Sequence, residues 1–214
     1  ENITGPYRHI AYIAGGACDT TLFGDVDGKI YAFMPRGGID VQEIDLSRLS
    51  EGKATLLGQP QRIVTADNRD VGLEVKPEYL EGPWVERIGG KYVLFYAEIY
   101  KDRKFPEYLG YWTGAAYADR PLGPWKKDPR AKVFFGGHLA VFDGPDGRKW
   151  FSYRQEQHER TRGLLCVDPF DIDREGRVVA PVPTTTPQAI PWKTPRRVDG
   201  NGTAGAVRRI PPVP

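Results

Sequence analysis

EGPWVERIGGKYVLFYAE, residues 81–98, reads as a polar opener, a Gly-Pro turn, a short strand, a Gly89-Gly90 hairpin turn and a long aromatic strand. Two other stretches follow the same plan. LFGDVDGKIYAF (22–33) is led by Asp19, and HLAVFDGPDGRKWFSYR (138–154) is led by His138. A Gly-Gly or Asp-Gly pair between runs of aromatic and β-branched residues signals a hairpin. The turn glycines 28, 90 and 147 lie 62 and 57 residues apart. A fourth turn, Glu175-Gly176, follows FDID and precedes RVVA.

Recurrence at this period points to a repeat architecture. Each unit has room for about four short antiparallel strands, and sheets of that kind packed radially make a β-propeller. The expectation is an all-β fold, with the first residues of the units meeting at a common axis. A β-sandwich with coincidental turns is the competing reading. Within the first unit, Val41-Gln42-Glu43-Ile44-Asp45-Leu46 alternates like an outer strand, and Leu46-Ser47 offers the start of one helical turn.

The units starting near 19, 81 and 138 make about three blades, and the first ten to fifteen residues read as the end of an earlier one. The expected organisation is a partial propeller over 1–180, followed by a Pro-rich closing strand or strap over 181–214. Eight prolines fall in those last 34 residues, with Ile190, Trp192, Val207 and Ile210 as scattered anchors. Closed propellers need four to eight blades, and an open ring exposes sheet edges. The missing blades are therefore expected from a second chain or a neighbouring copy.

Composition narrows the partners. Thirty basic and 28 acidic residues leave a net charge of +2, too balanced for a nucleic-acid surface. No stretch is long and apolar enough to span a membrane. The 25 glycines and 19 prolines suit a chain of many tight turns. Two cysteines, Cys18 and Cys166, cannot build a structural zinc site alone, and buried free thiols are the expectation. Glu1 is not an initiator and Met34 is the only methionine, so the chain is expected to be processed, truncated or part of something larger. An extracellular or periplasmic location is favoured over a cytoplasmic one.

A carboxylate pair at a propeller axis suggests glycosidic chemistry, which needs a proton donor for the leaving oxygen and a second carboxylate. Glu81 is the candidate donor, set before a Gly-Pro turn with Trp84 beside it. Asp19 is the candidate neighbour. Each also has a plainer reading, Glu81 as a surface acid before a turn and Asp19 as a turn cap. His138 could orient a ligand or ion, though a lone histidine more often serves structure.

CDTTLFGDVDGKIYAF, EGPWVERIGGKYVLFYAE with YLGYWTGAAYADRPLGPW, and GGHLAVFDGPDGRKWFSYR together resemble successive blades of the family 43 glycoside hydrolases. The resemblance implies a five-bladed β-propeller, of which this chain supplies three to four blades. It implies inverting action on α-L-arabinofuranosyl or β-D-xylosyl linkages. It places Asp19 as the pKa-modulating aspartate, Glu81 in the EGP motif as general acid, and His138 as the channel histidine. No cofactor is required by the resemblance, but a water-coordinated calcium near the propeller axis is implied beside His138. Arg162, or equally Arg160, resembles the arginine that reaches toward the pocket, and Phe23 and Trp84 are candidate sugar contacts.

The departures are as informative. No residue here matches the base aspartate of the first blade. Gln155 and Glu156 stand where a histidine pair often follows the strand. Glu98 and Glu107 occupy positions that are often small or polar, and Asp25 and Asp27 read as turn acids. A non-catalytic carbohydrate-binding module or assembly subunit is the alternative function, and an oligomer whose neighbour donates the base is a third.

Overall fold

The computed structural model describes residues 6–13, 15–130, 132–144, 146–155, 163–180 and 183–184. These form three consecutive sheets. The first holds β1 (Tyr12–Ile13), β2 (Thr21–Gly24), β3 (Ile30–Pro35), β4 (Gly38–Asp45) and β5 (Lys53–Thr65), in the order β1-β5-β4-β3-β2. The second holds β6 (Tyr79–Ile88), β7 (Lys91–Tyr100), β8 (Gly110–Ala118), β9 (Lys126–Lys127) and β10 (Phe134–Phe135). Its order is β10-β8-β7-β6, with β9 also on β8. The third is β11 (Gly137–Asp143), β12 (Lys149–Gln155), β13 (Leu164–Ile172) and β14 (Val178–Val179) in sequence order.

The predicted hairpins recur down to the atom. Gly28 N donates to Asp25 O (3.1 Å), Gly147 N to Gly144 O (2.9 Å) and Gly176 N to Asp173 O (3.0 Å). In the same three turns the residue at position 25, 144 or 173 donates across the hairpin to 29, 148 or 177. Gly28, Gly147 and Gly176 all take a left-handed φ near 80°, which glycine adopts without steric cost. Ile88 and Lys91 pair directly, and Gly89 and Gly90 between them both have positive φ, the two-residue turn that suits twisted strands.

The middle sheet decides between the competing folds. Nine of the ten residues of β7 are buried, and they alternate between two separate cores. Leu94 and Tyr96 pack toward Phe33, Val41 and Val64 of the first sheet. Val93 and Phe95 pack toward Val141, Phe151 and Phe170 of the third. In that second core Phe151 stacks on Phe170 at 4.0 Å, and Phe95 meets Phe151 edge-on at 5.3 Å. A middle sheet sandwiched by a sheet on each side is a fan of blades, and a two-sheet sandwich has no such layer. The fold is all-β, a partial β-propeller.

Smaller elements refine the expectations. Tyr12–Ile13, read as the end of an earlier blade, joins the first sheet parallel to Lys53 and Ala54 of β5. The helical turn falls at Leu49–Glu51, slightly later than expected. Thr184 donates from its amide and hydroxyl to Asp168, tying that point of the chain to β13. Residues 185–214, and with them Ile190, Trp192, Val207 and Ile210, lie outside the described residues. Among the described residues no helix is long and apolar enough to cross a membrane.

Candidate active site

β2, β6 and β11 are the first antiparallel strands of their sheets, and they meet where their leading ends converge. Thr21 on β2 donates its hydroxyl to Pro83 O on β6 at 2.5 Å. Asp19 lies in the turn before β2, Glu81 is the third residue of β6 and His138 the second of β11. Their side chains come together. His138 Nε2 is 3.0 Å from Glu81 Oε1 and 3.7 Å from Asp19 Oδ2. One ligand-type atom from each of the three lies within 4.8 Å of the others. All three side chains are about one-third exposed, so the cluster faces solvent without being free in it.

The backbone departs from ideal strand at each member. Asp19 (φ 60°) and His138 (φ 48°) are the two non-glycine residues with positive φ among the described residues. That conformation is costly for an L residue with a side chain, and such residues gather at functional sites. Around Glu81 the β6–β7 register shifts between Glu81 and Trp84, and around His138 the β11–β12 register shifts between Gly137 and Ala140. Irregularities of this bulge type re-aim a side chain at the end of a ladder.

Tyr111 on β8 completes the cluster. Its hydroxyl donates to Glu81 Oε1 at 2.9 Å, and its ring stacks with the His138 imidazole at 5.9 Å. Glu81 Oε1 thus receives two partners, and Oε2 makes no hydrogen bond among the described residues. Cys18 donates its thiol to Asp19 Oδ1 at 3.5 Å, and that bond to a carboxylate is the main reason its pKa is pushed up.

Two glycines make the convergence possible. A Cβ on Gly137 would stand 2.6 Å from the Tyr111 ring and 2.9 Å from Ala97 Cβ. A Cβ on Gly82, whose φ is 54°, would stand 2.9 Å from His138 Nδ1 and 3.2 Å from its Cα. Gly82→Ala is expected to cost about 1–2 kcal/mol through the left-handed φ alone, and to push His138 off Glu81. Urea unfolding and the His138 imidazole NMR shifts check it. An unmoved imidazole resonance in the variant would count against this packing.

Not every predicted contact joins the cluster. Phe23 packs edge-on against Tyr92 at 5.8 Å in the core between the first two sheets. Trp84 packs on the core between the second and third sheets, with Nε1 donating to Glu86 at 3.0 Å. Both rings serve packing between sheets. Glu98 neither faces solvent nor reaches the cluster, being fully buried. Of the two cysteines, both free, Cys18 is exposed and not buried as expected. Arg160, Arg162 and Glu156 lie outside the described residues. Arg154 was not singled out by sequence. It lines a recess of about 260 Å³ beside His138, together with Ser152, Tyr153, Gly163, Leu164 and Leu165.

The cluster offers a cation two carboxylate oxygens and one imidazole nitrogen. Calcium takes six to eight oxygen ligands, so these three residues do not fit a directly coordinated calcium by themselves. Most of its shell would have to be water.

A family profile described as Glycosyl hydrolases family 43 matches residues 1–178. The chain belongs to this family. Solved structures agree in fold. The xylan β-1,4-xylosidase from Bacillus halodurans C-125 superposes with a TM-score of 0.63 at 18% identity, over 83% of this chain and 35% of that one. The exo-1,5-α-L-arabinanase from a bovine ruminal metagenomic library gives 0.57 at 19%, over 79% and 58%. The α-L-arabinofuranosidase from Lactobacillus brevis gives 0.58 at 19%, over 78% and 56%. The matched region is thus between about a third and three-fifths of the length of these proteins. No curated protein matches the chain.

Proposed function

We propose that this chain carries the acid half of an inverting glycoside hydrolase site for α-L-arabinofuranosyl or β-D-xylosyl linkages, with the base supplied from outside it. The observation that carries this reading is the spacing of Asp19 and Glu81. Inverting enzymes hold acid and base roughly 6.5–9.5 Å apart so that sugar and water fit between them. Here both carboxylates approach the same imidazole nitrogen. No sugar ring can stand between them, so Asp19 is not the base that faces Glu81. It is a neighbour, placed to bias Glu81 and to accept from sugar hydroxyls.

In this reading Glu81 presents Oε2 to the leaving oxygen and gives up its proton as the glycosidic bond breaks. Tyr111 and His138 hold Oε1, so the carboxyl cannot swing away. Arg154 and the recess beside His138 receive part of the sugar. A second chain, or a neighbouring copy that completes the propeller, contributes the base aspartate on the far side of the ring. Each step uses side chains alone, and a calcium held through water near His138 would add electrostatic support at the axis.

Hydrolysis of 4-nitrophenyl α-L-arabinofuranoside and β-D-xyloside tests the reading. The expected result is turnover by the completed assembly and little by the chain alone. Equal turnover by the chain alone would refute the external base. Sugar binding with no turnover in any assembly would favour a carbohydrate-binding subunit.

A further inference from the structure

We propose a second saccharide-binding site between the outer turns of the first two sheets, on the face of the disc opposite the Asp19–Glu81–His138 cluster. The class of ligand rests on the proposed function, while the site itself rests on its own geometry. A recess of about 540 Å³ opens there, within the range that holds small organic ligands. Asp25 and Asp27 from the β2–β3 turn, Tyr31, Gln61, Arg120 and Leu122 line it, over a wall of Pro121 and Pro124.

The polar groups of the recess are held in place but not used up. Asp25 Oδ1 accepts from Val26 N at 2.8 Å and from the Tyr92 hydroxyl at 2.7 Å, which fixes the carboxylate. Asp27 Oδ1 accepts from Lys29 N at 2.9 Å. Gln61 Nε2 donates to Leu122 O at 2.9 Å, which fixes the loop that forms the opposite wall. The second oxygens of both carboxylates and the Gln61 carbonyl make no hydrogen bond among the described residues. Exposed Arg120 makes no ion pair among them either.

Tyr31 is the telling member. It is only 4% exposed, yet its hydroxyl has no hydrogen-bond partner among the described residues. Buried hydroxyls normally find one. This one is not sealed in, since Glu98 Oε1 is the buried side-chain atom left without a partner among the described residues. The Tyr31 hydroxyl therefore opens on the recess it lines. Burial pushes its phenol pKa up, so it stays a donor at neutral pH.

Rigid acceptors on one wall, a guanidinium and a phenol as donors, and an apolar surface of leucine and prolines suit a neutral, hydroxyl-rich ligand. A sugar hydroxyl both donates and accepts, so it can satisfy both kinds of group at once. An anion would meet two carboxylates, and a cation would meet Arg120. Asp19 lies in the turn before β2 and Asp25 in the turn after it, so the two sites draw on separate sets of side chains. This one would anchor a polymer while the other handles its end or branch.

Titration of the ¹⁵N-labelled chain with xylotriose and with 1,5-α-L-arabinotriose, followed by amide NMR shifts, tests the proposal. Saturable shifts at Asp27, Gly28 and Gly123 are expected. Tyr31→Phe with Arg120→Ala should weaken them about tenfold, one lost hydrogen bond to a charged group being enough for that, with shifts at Gly82 and Gly137 unaltered. Tyr31→Phe keeps the ring in the core, so loss of fold does not confuse the outcome. Shifts confined to Gly82, Gly137 and His138 would overturn the second site and leave the proposed function standing. Shifts at the outer turns alone would support the second site and count against sugar binding at the axis. No shift at millimolar trisaccharide overturns the second site.

Discussion

Glu81→Gln is expected to lower hydrolysis of an unactivated arabinoside or xyloside by roughly 10²–10⁴-fold, the usual contribution of a positioned general acid. The substitution is conservative at this position. A glutamine carbonyl can still accept from Tyr111 and face His138, as Glu81 Oε1 does at 2.9 and 3.0 Å. Only the transferable proton is lost. The loss should therefore depend on the leaving group. A dinitrophenolate departs without protonation, so the dinitrophenyl glycoside should suffer far less than a natural linkage. Rates for a series of aryl glycosides, compared between the two proteins in the completed assembly, separate the roles. If the variant loses the same factor on every leaving group, Glu81 positions the sugar and does not deliver the proton.

The second large effect concerns stability. Glu98 is fully buried on β7, and burial raises its pKa from 4.5 to about 7. Tyr100 donates to its Oε2 at 2.5 Å, and Oε1 has no partner. Asn68 donates in turn to the Tyr100 hydroxyl at 2.6 Å. Lys127 lowers the Glu98 pKa and Asp70 raises it, both less than burial does, and Lys127 Nζ lies 3.1 Å from Asp70 Oδ1. The sign follows from proton uptake. Between about pH 4.5 and 7 the folded chain holds a proton on Glu98 that the unfolded chain has released. Stability is therefore highest below that window and falls as pH rises through it, by about 3 kcal/mol at the conversion of 1.36 kcal/mol per pKa unit. Glu98→Gln should remove this slope, leaving the variant close to wild type at pH 5 and more stable above pH 7. Urea unfolding midpoints at pH 5 and pH 8 measure it. Parallel curves for the two proteins would show that Glu98 does not ionise inside the fold.

Sequence carried the fold because hairpin chemistry is local. Each of these pairs puts a glycine at a left-handed turn position that other residues avoid, and the aromatic strand after each turn must find a core. The cluster was legible for a related reason, since its three residues occupy equivalent places in three repeats. Tyr111 was not legible. Its contact with Glu81 depends on which face of β8 turns inward, which register decides and composition does not. Glu98 shows the same limit from the other side, because a glutamate near the end of a strand reads as a surface residue until Tyr100 and the Asn68–Val71 turn are seen beside it. Phe23 and Trp84 looked available for stacking because each stands near a site residue in sequence, while alternation along the strand packs both rings, partly buried, against the cores between sheets.

The left-handed backbone at Asp19 and His138 sets comfort against purpose. Glycine would rest at either place at no steric cost, and the chain would be easier to fold for having it. A copy of this gene released from its task would thus have something to gain by losing the two side chains, so they stand as a gauge of whether the centre is still in use.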